Sequence, residues 1–385
     1  MKKLLCVLFV SGIFLNVLYA QEFSVSGEFK TGVLLENEKI GNKTKNNGRM
    51  HNSDGDSGGG EGRARINMHL AINNVGLKAR FQQEDFETAS PFWDYAYAYA
   101  DIFSSQLRIS AGLLGNSPWG TGGKWLNQEL ETFHFGGGLV GIRFEYMPSF
   151  LDGLNIGFVL NQPDQRIMKD PAKQKFGELL QESVIGIAYE HEYFAAQASF
   201  RLDSDMDAYE SKNSEGSRLA YRIEEKALNT IVNGMSICMN GYFYGIGANF
   251  NQPTFMDNWL YFVYDNPNFI ANLDILFGLY ETNQNVIFPV CIQYQALEFY
   301  PGFYYKFFND FLQVGMRFGL GMEFGKGVTY KDSFYRFYMI EPQIKMNIGS
   351  NSYVSLVYNF TDSFISSQGD KSLKHSLNLR AVYTF

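Results

Sequence analysis

The chain has 385 residues, with 32 lysines and arginines against 40 aspartates and glutamates, for a net charge of −8. An acidic chain argues against nucleic acid as a partner, because binding it requires phosphate neutralisation. Three cysteines are too few for a disulfide framework, and no stretch after Ala20 is apolar for the roughly 18–20 residues that a helical membrane span needs.

Residues 1–20 read as a secretory signal peptide. Lys2 and Lys3 make a short positive region, Leu4 to Val17 is apolar, and Ala20 places a small residue before Gln21. Cys6 precedes most of the apolar run and is read as part of that signal, which leaves Cys238 and Cys291 either as one bridge in an oxidising compartment or as two small apolar strand residues, the reading preferred here. The remainder, 21–385, reads as a single domain with no internal repeat and no long linker.

Aromatic residues are the compositional anomaly, with 35 Phe, 24 Tyr and 4 Trp. Their arrangement has period two, which places alternate side chains on opposite faces of a strand. Phe23, Val25, Phe29, Val33 and Leu35 alternate with Ser24, Ser26, Glu28 and Lys30. After the polar stretch 37–62, Ala64, Ile66, Met68 and Leu70 alternate with Arg63, Arg65, Asn67 and His69. Asn73-Asn74-Val75-Gly76 has the residue types of a tight turn. Leu77, Ala79 and Phe81 then alternate with Lys78 and Arg80. The same parity puts Arg108, Arg143 with Glu145, Arg201, and Arg317 with Glu323 on the polar faces of four later strands. Long polar stretches at 115–125, 164–182 and 203–217 separate these runs.

Strands of about ten residues joined alternately by short turns and long loops are what an antiparallel transmembrane β-barrel produces. The expected fold is therefore all-β: a barrel of about 16 strands (14–18), with long loops on one side and short turns on the other. A secreted β-sandwich also alternates, but its polar face is not usually so rich in arginine and glycine opposite such an aromatic face.

The last ten residues sharpen this reading. Leu377, Leu379, Ala381, Tyr383 and Phe385 form an apolar set ending on an aromatic, opposite Ser376, Asn378, Arg380 and Thr384, with Val382 the one departure. This segment resembles the closing strand of bacterial outer-membrane barrels of the porin-like class. The resemblance implies the outer membrane of a diderm bacterium, a lipid bilayer around the barrel, and recognition of these five residues by the barrel-assembly machinery.

Chemistry-bearing motifs are sparse. The acidic stretch 54–61 lacks the ligand spacing of a calcium loop, and Asp203, Asp205 and Asp207 read as a solvated loop tip. The five histidines show no metal-ligand spacing, and no nucleophile elbow occurs, so neither an enzyme nor a cofactor is expected. The first strand begins within a few residues of Gln21, which leaves no room for an N-terminal plug.

An unplugged barrel of this size encloses water. The function expected is passive diffusion of small hydrophilic solutes. The competing reading is a membrane anchor whose loops act as an adhesin or surface antigen. Candidate lumen-lining residues are Arg63, Arg65, Lys78, Arg80, Arg108, Arg143, Arg201, Arg317 and Arg380, with Glu28, Glu145 and Glu323. A charge facing lipid at mid-depth costs ~2–4 kcal/mol, which independently turns them inward. Such a wall favours anions, unless the arginines merely satisfy one another and lumen water. Arg380 and Glu28 are expected to pair across the barrel seam, and the glycine-rich stretch 115–125, which carries Lys124, is the candidate for an inward-folding loop. The sequence marks no subunit interface.

Overall fold

A strand with one apolar and one polar face must bury one of them, and which face is buried depends on the solvent. In the computed structural model, which describes residues 22–50, 63–84, 91–115, 118–119, 121–125, 128–133, 140–161, 180, 183–202, 217–246, 254–283, 291–325, 335–364 and 371–385, the polar face is the buried one. Arg65, Arg143, Arg317 and Arg380 are buried, whereas Phe29, Leu35, Ile66, Leu77, Ile142, Ile187, Phe318 and Leu379 are exposed. A protein in water does not present so large a continuous apolar exterior. Hydrocarbon is the solvent that this surface fits.

The strands are β1 (Glu22–Ile40), β2 (Lys43–Met50), β3 (Arg63–Ile72), β4 (Val75–Glu84), β5 (Phe92–Ile102), β6 (Leu107–Leu113), β7 (Thr121–Trp125) and β8 (Gln128–Phe133). They continue as β9 (Val140–Tyr146), β10 (Leu154–Asn161), β11 (Val184–Glu190), β12 (Phe194–Arg201) and β13 (Ser217–Glu225). A one-turn helix, α1 (Ala227–Ile231), precedes β14 (Met235–Ile246), β15 (Thr254–Asp265), β16 (Phe269–Asn283) and β17 (Cys291–Phe307). The last four are β18 (Leu312–Gly325), β19 (Tyr335–Gly349), β20 (Ser352–Phe364) and β21 (Lys371–Thr384).

Every neighbouring pair is antiparallel, and β21 returns to pair with β1, from Glu28 opposite Thr384 to Ile40 opposite Ser372. The result is a closed barrel of 18 strands rather than about 16. Two features of the wall obscure the count in the sequence. First, β2 and β3 occupy one position in the wall: β2 pairs with β1 from Ile40 down to Val33, and β3 continues from Lys30 to Glu22. Much of the stretch 37–62 expected to be loop is therefore wall. Second, β5, β15 and β17 set tyrosines on the polar side, which blurs the period-two signal there. The short connections, such as 73–74, 191–193, 266–268 and 350–351, share one rim, and the longer ones lie on the other. Asn73, the first residue of the tightest turn, adopts φ 52°, a left-handed conformation that asparagine tolerates well.

Several sequence expectations fall on residues outside those described: the signal segment 1–20, the acidic stretch 54–61, the loop carrying Asp203, Asp205 and Asp207, and most of 164–182. Among the described residues, no group of three His, Cys, Asp or Glu side chains is placed to hold a metal ion. Cys238 is buried and forms no disulfide among the described residues.

The seam has its own packing device. Phe385 and Gly27 exchange backbone hydrogen bonds of 3.1 and 2.9 Å. The Phe385 ring lies over Gly27, where an added Cβ would run into it and come within 2.8 Å of the Arg65 carbonyl oxygen. Gly27→Val should therefore lower the unfolding free energy by about 1–3 kcal/mol, measured by urea unfolding in detergent micelles. Gly48→Val, whose nearest neighbour would be Leu35 Cδ2 at 3.5 Å, should change it by less than ~0.5 kcal/mol.

Candidate functional site

The inner wall divides into two sectors. On one side, β5 sends Tyr95, Tyr97 and Tyr99 inward at successive alternate positions, about 6.6 Å apart along the strand. Cations from the neighbouring strands stand over these rings. Arg80 lies 5.0 Å from the centroid of Tyr95, Arg143 lies 5.3 Å from that of Tyr97, and Arg108 lies 4.5 Å from that of Tyr99, with Lys78 at 6.0 Å on the same ring. Each such contact contributes about 0.5–2 kcal/mol and holds the side chain extended along the wall.

Acids and amides complete the arrangement. Arg108 and Asp101 are direct cross-strand partners and form a two-pronged pair at 2.7 and 2.8 Å. Arg80 donates to Asn67 at 2.7 Å and to Asp94 at 3.1 Å. Arg143 donates to Glu145 at 3.1 Å and to the Gly115 carbonyl at 3.2 Å. Arg65 donates to the neutral Gln82 amide at 2.7 Å, and Glu28 receives Arg63 at 2.7 Å and Lys30 at 3.1 Å.

The second sector, on β16–β20, balances acids against bases: Asp274, Glu298 and Glu341 stand with Lys306, Arg317 and Lys345. Arg317 pairs with its cross-strand partner Glu341 at 3.0 Å and lies 5.7 Å from the centre of the Tyr300 ring. The Tyr300 hydroxyl donates to Glu298 at 2.6 Å, and Asn359 donates to Glu341 at 2.9 Å. Asp274 is buried and receives Asn272 at 3.3 Å.

The other sequence candidates are placed as follows. Arg201 on β12 stands directly opposite Arg218 on β13. Arg380 is buried on the inner face, opposite Gly32. Glu323 lies on β18 with its side chain outside the described residues. Leu377, Leu379, Tyr383 and Phe385 are exposed on the outer face, with Ala381 half-buried between them. The expected Arg380–Glu28 pair is corrected by the seam register: Glu28 sits opposite Thr384, four positions from Arg380, and binds Arg63 and Lys30 instead.

Sequence reasoning missed the tyrosines and most of the partner acids. Asp94, Asp101, Glu298 and Glu341 lie in strands whose two faces both contain apolar or aromatic residues, so parity alone did not turn them inward. The Tyr-x-Tyr-x-Tyr spacing of β5 was the available signal.

The lumen is not empty space between these sectors. Leu114 and Trp119, in the connection between β6 and β9, are fully buried with Tyr97, Val159, Val184 and Ala220. The Trp119 Nε1 donates to Asn155 Oδ1 at 2.9 Å, and both Asn155 and Val159 face inward on β10, opposite in parity to the exposed Ile156. This part of the connection therefore enters the barrel, and β7, which follows it, runs close to β12–β15.

No protein-family model matches the chain, and no curated protein matches it. Solved structures do. The barrel is similar to an anion-selective porin from Comamonas acidovorans, at 8% identity over 94% of this chain and 99% of that one, with a TM-score of 0.54. It is also similar to OccD3 of Pseudomonas aeruginosa, at 10% identity over 95% and 92% of the two chains and a TM-score of 0.53. OpdQ of the same species matches at 9% identity over 95% and 99%, with a TM-score of 0.52. The fold is that of outer-membrane porin barrels, in keeping with the apolar exterior.

Burial separates the ion pairs in energy. Arg143 and Glu145 have side chains only 4% and 6% exposed, so removing one partner strands the other away from water. Glu145→Gln should destabilise the barrel by about 3 kcal/mol in equilibrium unfolding. Asp101→Asn, in a pair open to the lumen on the arginine side, should cost less than ~1 kcal/mol.

Proposed function

We propose that the chain is a non-enzymatic diffusion channel of the outer membrane, passing small hydrophilic solutes with a preference for anions. The observation that carries this reading is the inner face of the closed barrel, where arginines and a lysine are held over tyrosine rings. On β1, β3, β4, β6, β9 and β21 the described inward side chains include Lys30, Arg63, Arg65, Lys78, Arg80, Arg108, Arg143, Lys374 and Arg380. Against them stand Glu28, Glu36, Glu38, Asp94, Asp101 and Glu145, with Glu22 at the rim. The surplus is positive, and low-dielectric walls focus its field into the lumen. The likeness to a porin whose name records anion selectivity supports the same direction.

The reading includes biogenesis. Residues 1–20 direct export and are removed, and Leu377, Leu379, Ala381, Tyr383 and Phe385 are the segment that the assembly machinery reads.

Reversal potentials across planar bilayers under a salt gradient test the proposal. The native protein should favour chloride over potassium, and the double variant Arg65→Gln, Lys78→Gln should lower that ratio, because it removes two positive charges from the lumen wall. Cation preference in the native protein would contradict the reading.

A further inference from the structure

We infer that Trp119 is the positioning residue that holds the β6–β9 connection inside the barrel and thereby sets the channel's size cut-off. The inference rests on the channel reading above.

The wall is shaped to receive this ring. Gly157 on β10 and Gly186 on β11 are direct register partners, and both face inward, because the alternate residues Ile156, Ile185 and Ile187 are exposed on the outside. A Cβ on either glycine would run into the indole. The two glycines thus make a flat floor one side chain deep, with Val159 and Val184 buried on the adjacent rung. The same rung continues with Ser199 on β12 and Ala220 on β13, opposite one another and both fully buried. Four neighbouring strands therefore present Gly, Gly, Ser and Ala at one level, a track of small residues across the inner wall.

Trp119 fills the glycine end of that track. Its ring is fully buried and its one polar atom bonds Asn155, so the indole is satisfied in both its apolar and polar parts. The entry to the connection is fastened separately, by Arg143 donating to the Gly115 carbonyl. Past Trp119 the chain continues as β7 beside β12–β15, the direction in which the track runs. A connection fastened at two points, Gly115 to β9 and Trp119 to β10 and β11, is fixed in how much of the lumen it occupies.

The test compares single-channel conductance and the size limit for sugar entry into proteoliposomes. Trp119→Ala removes the ring and Gly186→Leu fills its seat, so the two reach the same released state by independent routes. Each should raise the conductance step about twofold, since current follows the free cross-section of the lumen, and should admit larger sugars. The double variant should exceed neither single one. Trp119→Phe, which refills the seat, should keep the native step and cut-off. Variants that fold, by heat-modifiable migration, yet retain the native step and cut-off would overturn the inference.

A silent native protein would instead defeat the channel reading. The seat is then tested alone, as it also is if the variants fail to fold, in a protein where Trp93, Trp125 and Trp259 are replaced by Phe. Blue-shifted emission protected from acrylamide is expected for Trp119, and a quenchable, water-like emission would overturn its placement.

Discussion

In hydrocarbon no water is available to a backbone N–H or C=O, so each such group must find its partner within the wall. That requirement governs the architecture. An open sheet leaves two edges unpaired, and the pairing of β21 with β1 along their length removes both. Once the wall is closed, side-chain parity has only two destinations, lipid and lumen. The seam is finished by Phe385 folded over Gly27, a position where any larger residue would displace the ring and crowd the Arg65 carbonyl of β3.

Closure turns the usual protein interior inside out. The core here is a charged and aromatic lumen lining, and its order comes from contacts that tie each cation to more than one neighbour. Arg143 joins Glu145, the Tyr97 ring and a loop carbonyl; Arg317 joins Glu341 and the Tyr300 ring. Such tethering keeps long side chains against the wall and out of the water path. It also divides the field, with surplus positive charge on the side of β21 and β1–β9 and acids balanced by bases on β16–β20. A solute passing between the sectors meets a positive wall on one flank and a charge-balanced one on the other, so charge and orientation both bear on its passage.

The class of fold was legible in the sequence because lipid enforces strict alternation where strands cross it. Phe29, Val33 and Leu35 against Glu28 and Lys30 admit little else. Strand number was less legible. Where the lumen is lined by Tyr95, Tyr97, Tyr99, Tyr261, Tyr300 and Tyr304, both faces read as apolar and the period disappears. The inward turn of the arginines followed from the cost of charge in lipid, but their partners did not, since pairing depends on register and register is invisible to parity. The seam shows this directly: a one-strand reading placed Arg380 near Glu28, and the register separates them by four positions. Trp119 carried a weak signal, an aromatic residue within a glycine-rich loop, while its seat is built from two glycines nearly thirty residues apart in sequence and brought together only by register.

The division between lipid and lumen is tested most directly by adjacent residues on one strand. In a protein freed of Cys238 and Cys291 by alanine substitution, Lys78→Cys and Leu77→Cys can be exposed to a charged, membrane-impermeant thiol reagent in proteoliposomes. Rapid modification at position 78 with a change in conductance, and protection at position 77, is the result that the inward-facing basic wall predicts. Equal reactivity, or the reverse order, would contradict it.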